Sequence, residues 1–167
     1  MDTVKLPISK GLFTLIDDID YKMLQATGNL KWNAQKSGKR FYVSKTIHGE
    51  GKLYLHRFIM NPKPGFCIDH INGDALDNRR SNLRVCSHRQ NSYNVYKEGF
   101  KGVAATKNGK HTAQIEVHGS HINLGTFSGA TDAARMYDLA AALLFGEFAN
   151  FNFPFSEKFI KLRKYIK

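Results

Sequence analysis

Acidic side chains are scarce in this chain: 14 Asp and Glu face 25 Lys and Arg among 167 residues, a formal net charge of +11. That imbalance points to a polyanionic partner, with nucleic acid as the default candidate. An anionic membrane surface would call for a strongly apolar amphipathic stretch, and charge serving solubility alone is the remaining alternative. Cysteine is scarcer still. Cys67 and Cys86 form no C-x-x-C pair, which leaves too few thiolates for a zinc ribbon. They flank an Asp-His segment on what read as facing strands, so two buried free thiols is the plain reading and a disulfide the other. No run of about 18 apolar residues occurs, and no apolar stretch follows a basic start, so a cytosolic chain is expected, neither secreted nor membrane-spanning. The length suffices for one modest core or two small ones.

Residues 1 to 60 read as short strands with one helical turn: Leu12 to Ile16, Asp18 to Gln25, Phe41 to Val43 and Leu53 to Leu55. Asp17, Asp18 and Asp20 enter the helix, where carboxylates cap free N–H groups and meet the dipole, a better reading than a metal site. Lys36, Lys39, Arg40 and Lys45 surround Gly38 in a hairpin that either tracks a phosphate backbone or is an ordinary solvated loop.

The pattern sharpens between Cys67 and Tyr96. Cys67 to His70 reads as a short strand, Asn72-Gly73-Asp74 and Asp77-Asn78 as turns in a long loop, and Leu83 to Cys86 as the returning strand. Ser87-His88-Arg89-Gln90 has the S-x-x-Q form of a capping box, so a helix is expected from Ser87, with Asn91 in its first turns.

Phosphodiester hydrolysis needs a nucleophile, neutralisation of charge at phosphorus and stabilisation of the departing oxygen. The Asp69 carboxylate and the Asn91 amide oxygen suit a hard cation, Mg²⁺ or Mn²⁺, with phosphate and water completing its shell. His70, with an ordinary pKa near 6.5, can take a proton from water at neutral pH. Adjacent strand residues point to opposite faces, so Asp69 and His70 serve one phosphate only where the strand ends or bends, and Asn72-Gly73 supplies a turn there.

Asp69-His70 with Gly73, then Asn78 to Arg84 with its N-x-x-N-L-R form, then Gln90-Asn91, resembles the HNH nucleases of ββα-metal fold. The likeness is to the phage and intron-encoded homing endonucleases in particular. The resemblance implies His70 as general base, Asp69 and Asn91 as metal ligands and Asn82 as the central Asn that ties the loop. Arg84 is taken as a DNA contact. Asn91 stands where many relatives have a final His, a departure that leaves a weaker ligand and the working metal open. Leu55-His56-Arg57-Phe58 resembles the helix that often precedes the motif, and His56 is read there as structural or phosphate-facing. His88 lies three residues before Asn91 and is expected to face elsewhere.

Phe100 to about Pro154 reads as a separate unit of three strands and a helix. Gly102 to Thr106 is a first strand, Asn108-Gly109 a hairpin turn, and Ala113, Ile115 and Val117 alternate with polar neighbours. A turn at Gly119-Ser120 leads to a strand from His121 to Phe127. From Thr131 a helix carries an apolar stripe of Ala133, Ala134, Tyr137, Ala140, Ala141 and Leu144, closed by Gly146. Lys101-Gly102-Val103, Leu124-Gly125-Thr126-Phe127, Ala133-Ala134-Arg135, Tyr137-Asp138, Gly146-Glu147 and Asn152-Phe153-Pro154 together resemble the ethylene-response-factor (APETALA-type) DNA-binding domain. That family lays its sheet in the major groove, which implies Lys101, Ala104, Thr106, Asn108, Lys110, Gln114, Asn123 and Thr126 as contacts. Lys101, Lys110 and Thr126 suit phosphate, Gln114 and Asn123 suit base edges, and Ala104 suits a thymine methyl.

The expected fold is therefore α+β: a ββα-metal nuclease domain over residues 1–98, with its core at 66–96, then a three-stranded antiparallel sheet packed on one helix over 99–154. Residues 155–167 form a basic tail, either a small helix or a solvated end. The resemblances imply a metal-dependent endonuclease acting on double-stranded DNA and leaving 5′-phosphate and 3′-hydroxyl. They also imply a phage or mobile-element origin, acting in the cytoplasm of a bacterial host or phage-infected cell. An inactive sequence-specific regulator and a structural protein that merely adheres to DNA are the competing readings. Monomer and homodimer both stay open.

Overall fold

A computed structural model of the chain describes residues 2–28 and 30–154, and the tail at 155–167 lies outside them. The chain divides into two compact units, Met1–Asn91 and Ser92–Lys167, where the sequence pattern set the boundary after residue 98.

The first unit is built from small antiparallel sheets. β1 (Thr3–Pro7) pairs with β2 (Phe13–Asp17), placing Thr3 opposite Asp17 and Pro7 opposite Phe13. α1 (Asp18–Ala26) follows at once. β3 (Asn33–Ser37), β4 (Arg40–Ile47) and β5 (Gly51–Tyr54) form a second sheet in that order, and α2 (Leu55–Met60) leaves β5 without a loop. Leu55, expected to end a strand, starts this helix because its side chain is needed in the core. β6 (Cys67–His70) and β7 (Leu83–Cys86) then pair antiparallel, and α3 (His88–Tyr93) follows. The helix start has the reciprocal bonds its sequence encodes: Ser87 N–H donates to Gln90 Oε1 (2.8 Å) and Gln90 N–H to Ser87 Oγ (3.2 Å).

Alternation along β2 turns Thr14 and Ile16 inward, and the helical period of α1 does the same for Asp20 and Leu24. Ile16 and Leu24 join Trp32, Val43, Leu55, Ile59, Ile68 and Leu83 in one cluster. Each such aliphatic side chain stabilises by about 1.5–3 kcal/mol when fully buried, which offsets the cost of the polar groups buried among them.

Those polar groups correct one expectation. Asp17 is the residue before α1, yet its side chain makes no cap bond. Its Oδ2 accepts the Arg80 backbone N–H (2.8 Å), and Asp20 grips the Arg80 guanidinium from Nη2 (2.7 Å) and Nε (2.9 Å). A carboxylate buried as fully as Asp20 gains more from a cation than from a helix terminus, so long as both partners stay. Asp18, at the surface, pairs with Lys22 (2.7 Å).

The second unit is a three-stranded antiparallel sheet ordered β10-β9-β8, from β8 (Val103–Ala105), β9 (His111–Val117) and β10 (Ser120–Phe127), packed on α4 (Ala130–Phe145). His118 and Gly119 join β9 to β10 with positive φ (56° and 79°), the backbone that tight hairpins prefer. Alanines at 133, 134 and 141 bring α4 close to the sheet, and the approach is tight at Gly102. A Cβ there would lie 1.9 Å from Tyr137 Cδ2, and φ is +74°. Leu144, expected in the apolar stripe, is exposed, and Phe145 one position on fills the core beside Ile115, Tyr137 and Ala141. Among the described residues no helix is long and apolar enough to cross a membrane.

Candidate active site

Asp69 and His70 end β6, and residues 71–82 then return to β7. Asn82, buried, ties this segment from within: its Oδ1 accepts Asn72 N–H (3.0 Å) and its Nδ2 donates to Asp77 O (2.8 Å). Asp77 takes the Arg79 fork (2.8 and 2.6 Å), which holds its carboxyl below the usual range against the opposing effect of burial. Two Asx turns, Asp74 N–H to Asn72 Oδ1 and Leu76 N–H to Asp74 Oδ1, both 2.9 Å, shape the rest.

From outside, β2 grips the same segment. Leu15 N–H donates to Leu76 O (2.9 Å) and Asn78 N–H to Leu15 O (2.8 Å). Thr14 Oγ1 donates to Leu76 O (2.6 Å) and accepts from Asn78 Nδ2 (2.8 Å). Thr14 and Asn78 are completely buried. Sequence reading missed Thr14, Asp17, Asp20 and Asn78 as supports, because no local pattern marks polar partners 60 or more positions apart.

His70 is buried, with Nε2 3.2 Å from Asn78 Oδ1. Burial lowers its pKa, outweighing the Asn78 bond and the carboxylates of Asp69, Asp74 and Asp77, so the ring is neutral at pH 7. Its neighbours are aromatic: His56 meets it edge-on with centroids 5.2 Å apart, and Tyr42 lies at 6.4 Å. Tyr54 stacks on His56 at 5.6 Å.

Asp69 and Arg84 stand opposite each other in the β6–β7 register, and Arg84 donates to Asp69 Oδ2 from Nε (2.8 Å) and Nη2 (2.5 Å). Arg84, expected on DNA, is thus turned onto a buried carboxylate that needs a counter-charge. Asn91 lines a cavity of about 310 Å³ with Ser37, Tyr42, Tyr54, His56, Arg57, Cys67 and Ile68. Among the described residues no group of three or more His, Cys, Asp or Glu gathers to hold a metal. The implied donors are hard oxygens, one carboxylate and one amide, and they fit Mg²⁺ or Mn²⁺ in chemical kind, since such ions take most of their shell from phosphate and water. A cation held there would have to share Asp69 with the Arg84 guanidinium.

Cys67 and Cys86 face each other across the strands as free thiols, Cys67 half-buried and Cys86 buried. Burial, with Asp69 and Cys67 adding to it, pushes the Cys86 thiol up to about 11. His88 turns its Nδ1 to Cys67 Sγ at 3.1 Å.

In the second unit the register places Thr112 between Ala104 and Thr126, and Gln114 beside Asn123, on one sheet face; Ala104, Gln114, Asn123 and Thr126 are exposed. Asn123 Oδ1 accepts the Gly125 N–H (2.9 Å) at a bulge in β10. Asn108 is exposed in the hairpin, while Thr106 Oγ1 bonds Lys110 O (3.0 Å) and Lys110 N–H (3.1 Å) to close it. Lys101 departs from its expected place on phosphate. Its Nζ donates to Tyr93 O (2.6 Å) and Val95 O (3.0 Å), because a half-buried ammonium needs fixed acceptors, and burial lowers its pKa.

Residues 54–93 match the family model for HNH endonucleases. A protein of Acanthamoeba polyphaga mimivirus named an uncharacterized HNH endonuclease is 35% identical over 127 residues, 71% of this chain and 65% of that protein. A dehydration-responsive element-binding protein of Arabidopsis thaliana is 43% identical over 60 residues, 35% of this chain and 18% of that protein. The chain thus spans just under two thirds of its viral relative.

His56 gives the site a pH signature. Its Nδ1 is buried with no hydrogen-bond partner among the described residues, and burial first, then His70 and Arg57, lowers its pKa to about 3. The unfolded chain, with a pKa near 6.5, binds a proton that the folded chain refuses, so this contribution is intact above about pH 6.5 and is lost as pH falls towards 3. Urea midpoints should therefore drop through that window, by up to roughly 1.4 kcal/mol per pH unit from this group. His56→Phe should flatten the drop, whereas equal slopes for the two proteins would assign the acid sensitivity elsewhere.

Proposed function

We propose that this chain is a metal-dependent endonuclease of double-stranded DNA, in which the first unit cuts and the exposed sheet face of the second docks on the duplex. The observation that carries the reading is the end of β6: a neutral, buried His70 beside Asp69, held by an Asn82-tied segment inside the stretch that matches HNH endonucleases. We take β6, β7 and α3 as the ββα-metal element of that family. The viral relative's name supports the nuclease activity, and the similarity to the plant element-binding protein supports docking by the second unit.

His70 takes a proton from a water, whose oxygen attacks phosphorus. The P–O3′ bond breaks, leaving a 5′-phosphate, and the departing 3′ oxygen collects a proton from solvent to become hydroxyl. Asp69 and Asn91 would hold the divalent cation, which supplies neutralisation of the charge on the phosphoryl and 3′ oxygens. Arg84 fixes the Asp69 carboxylate. Gln114 and Asn123 read base edges, Ala104 meets a thymine methyl, Asn108, Lys110 and Thr126 lie along phosphate, and Lys101 serves the fold instead. A homing role in a phage or mobile element fits a cutter carrying its own docking module.

The arginine clamp on Asp69 favours a second reading, a DNA-binding regulator without cleavage. Incubation of plasmid with Mg²⁺ or Mn²⁺ separates the two. Nicked or linear product is expected, lost in chelator and in His70→Ala, with DNA binding by that variant retained. Intact plasmid with either metal would support the regulator. For the second unit, Gln114→Ala should cost roughly 1–3 kcal/mol of discrimination at one base position in competition against a random-sequence duplex library. An unchanged sequence preference would remove Gln114 from the reading face.

A further inference from the structure

Within unit 1, four groups form a chain of hydrogen bonds whose direction has no freedom. Leu76 O can only accept, so the Thr14 hydroxyl proton points to it (2.6 Å). Thr14 Oγ1 then receives a proton from the Asn78 amide, whose Nδ2 lies 2.8 Å away. Ala75 O, 3.3 Å from the same Nδ2, enforces the same orientation, because a flipped amide would set oxygen against oxygen. Asn78 must therefore turn its Oδ1 to His70, and an amide oxygen accepts. His70 Nε2, 3.2 Å away, is left as the donor. In a neutral imidazole a proton on Nε2 puts the lone pair on Nδ1.

We propose that Asn78, anchored by Thr14 on β2, is a positioning residue that locks His70 in the Nε2–H tautomer, so that Nδ1 is the atom that takes the proton from water. The inference rests on the reading of His70 as the base and adds to it which nitrogen acts and what selects it. Burial makes the selection strict. Asn78 and Thr14 are fully buried and His70 nearly so, so no solvent water offers Nε2 a substitute partner. The lock also gives the N-terminal strands a part in the chemistry: Thr14 lies 64 positions from the asparagine it orients.

Long-range ¹H–¹⁵N correlation on the histidine-labelled full chain reads the tautomer directly. The wild type should show His70 protonated on Nε2 alone. Asn78→Ala should give a mixture of tautomers and a kcat lower by roughly 10- to 100-fold with KM little changed. Asn78→Asp keeps the acceptor while losing both amide donors, so it should keep the single tautomer even though it packs worse than wild type. A purely structural role for Asn78 predicts the reverse. Should the Asn78 variants fail to fold, Thr14→Val, which leaves Nδ2 with Ala75 O alone, should lower kcat, and Thr14→Ser should restore it. A proton on Nδ1 in the wild type overturns the proposal, as does a full-rate Asn78→Ala with the tautomer unchanged. Cleavage by His70→Ala would instead remove the base reading beneath it, an outcome recognisable because the tautomer is measured without substrate.

Discussion

The backbone bonds between β2 and the segment after β6 are the constraint on which the rest of the first unit depends. Twelve residues separate the strands β6 and β7, and a connection of that length, left to itself, is mobile. Leu15 pairs with it as a strand would, Thr14 and Asn78 bond beneath, and Asp17 and Asp20 hold Arg80 at its far end. None of these bonds contributes much alone, since each replaces a bond to water. Together they give the buried polar atoms of the segment partners, the Asn78 amide that faces His70 among them.

That arrangement explains a division of labour in the sequence. β1, β2 and α1 carry no candidate catalytic group, yet Thr14, Asp17 and Asp20 are among the most buried polar side chains of the described residues. Their task is to hold one face of the connecting segment while the aromatic cluster of Tyr42, Tyr54 and His56 closes another side of His70. Burial in that setting lowers the His70 pKa against the pull of the nearby carboxylates, and a neutral imidazole can accept a proton. The second unit is assembled on a different principle. Alanines and one glycine let a helix lie against a sheet, which frees the opposite sheet face for polar residues.

Much of this was legible from residue order, and what was not has a common cause. β6 and β7 follow from short runs bounded by turn residues, α3 from its capping box, and the sheet of the second unit from period-two alternation with an Asn-Gly turn and a second turn read at Gly119-Ser120, one position past the observed His118-Gly119. These are local signals. The supports of His70 are not: nothing near Thr14 announces Asn78, and nothing near Asp20 announces Arg80. Asp17 and Asp20 read as helix caps because caps are what acidic residues before a helix usually are, and their burial is decided by the core. Lys101 and Arg84 read as DNA contacts for the same reason. A cation's partner is set by which acceptor is desolvated nearby, here two backbone carbonyls and a carboxylate. Leu144 and Phe145 differ by one step of helical phase, finer than an alanine-rich stripe resolves.

The measurement that bears most directly on the account is amide hydrogen exchange at Asn78, whose N–H is committed to Leu15 O. If the segment is a clamped part of the first unit, this amide exchanges as slowly as those of the β1–β2 ladder, through unfolding of the unit as a whole. Rapid exchange at Asn78 beside a protected β1–β2 ladder would mean that the connection moves independently. The orientation of His70 would then have to come from somewhere other than β2.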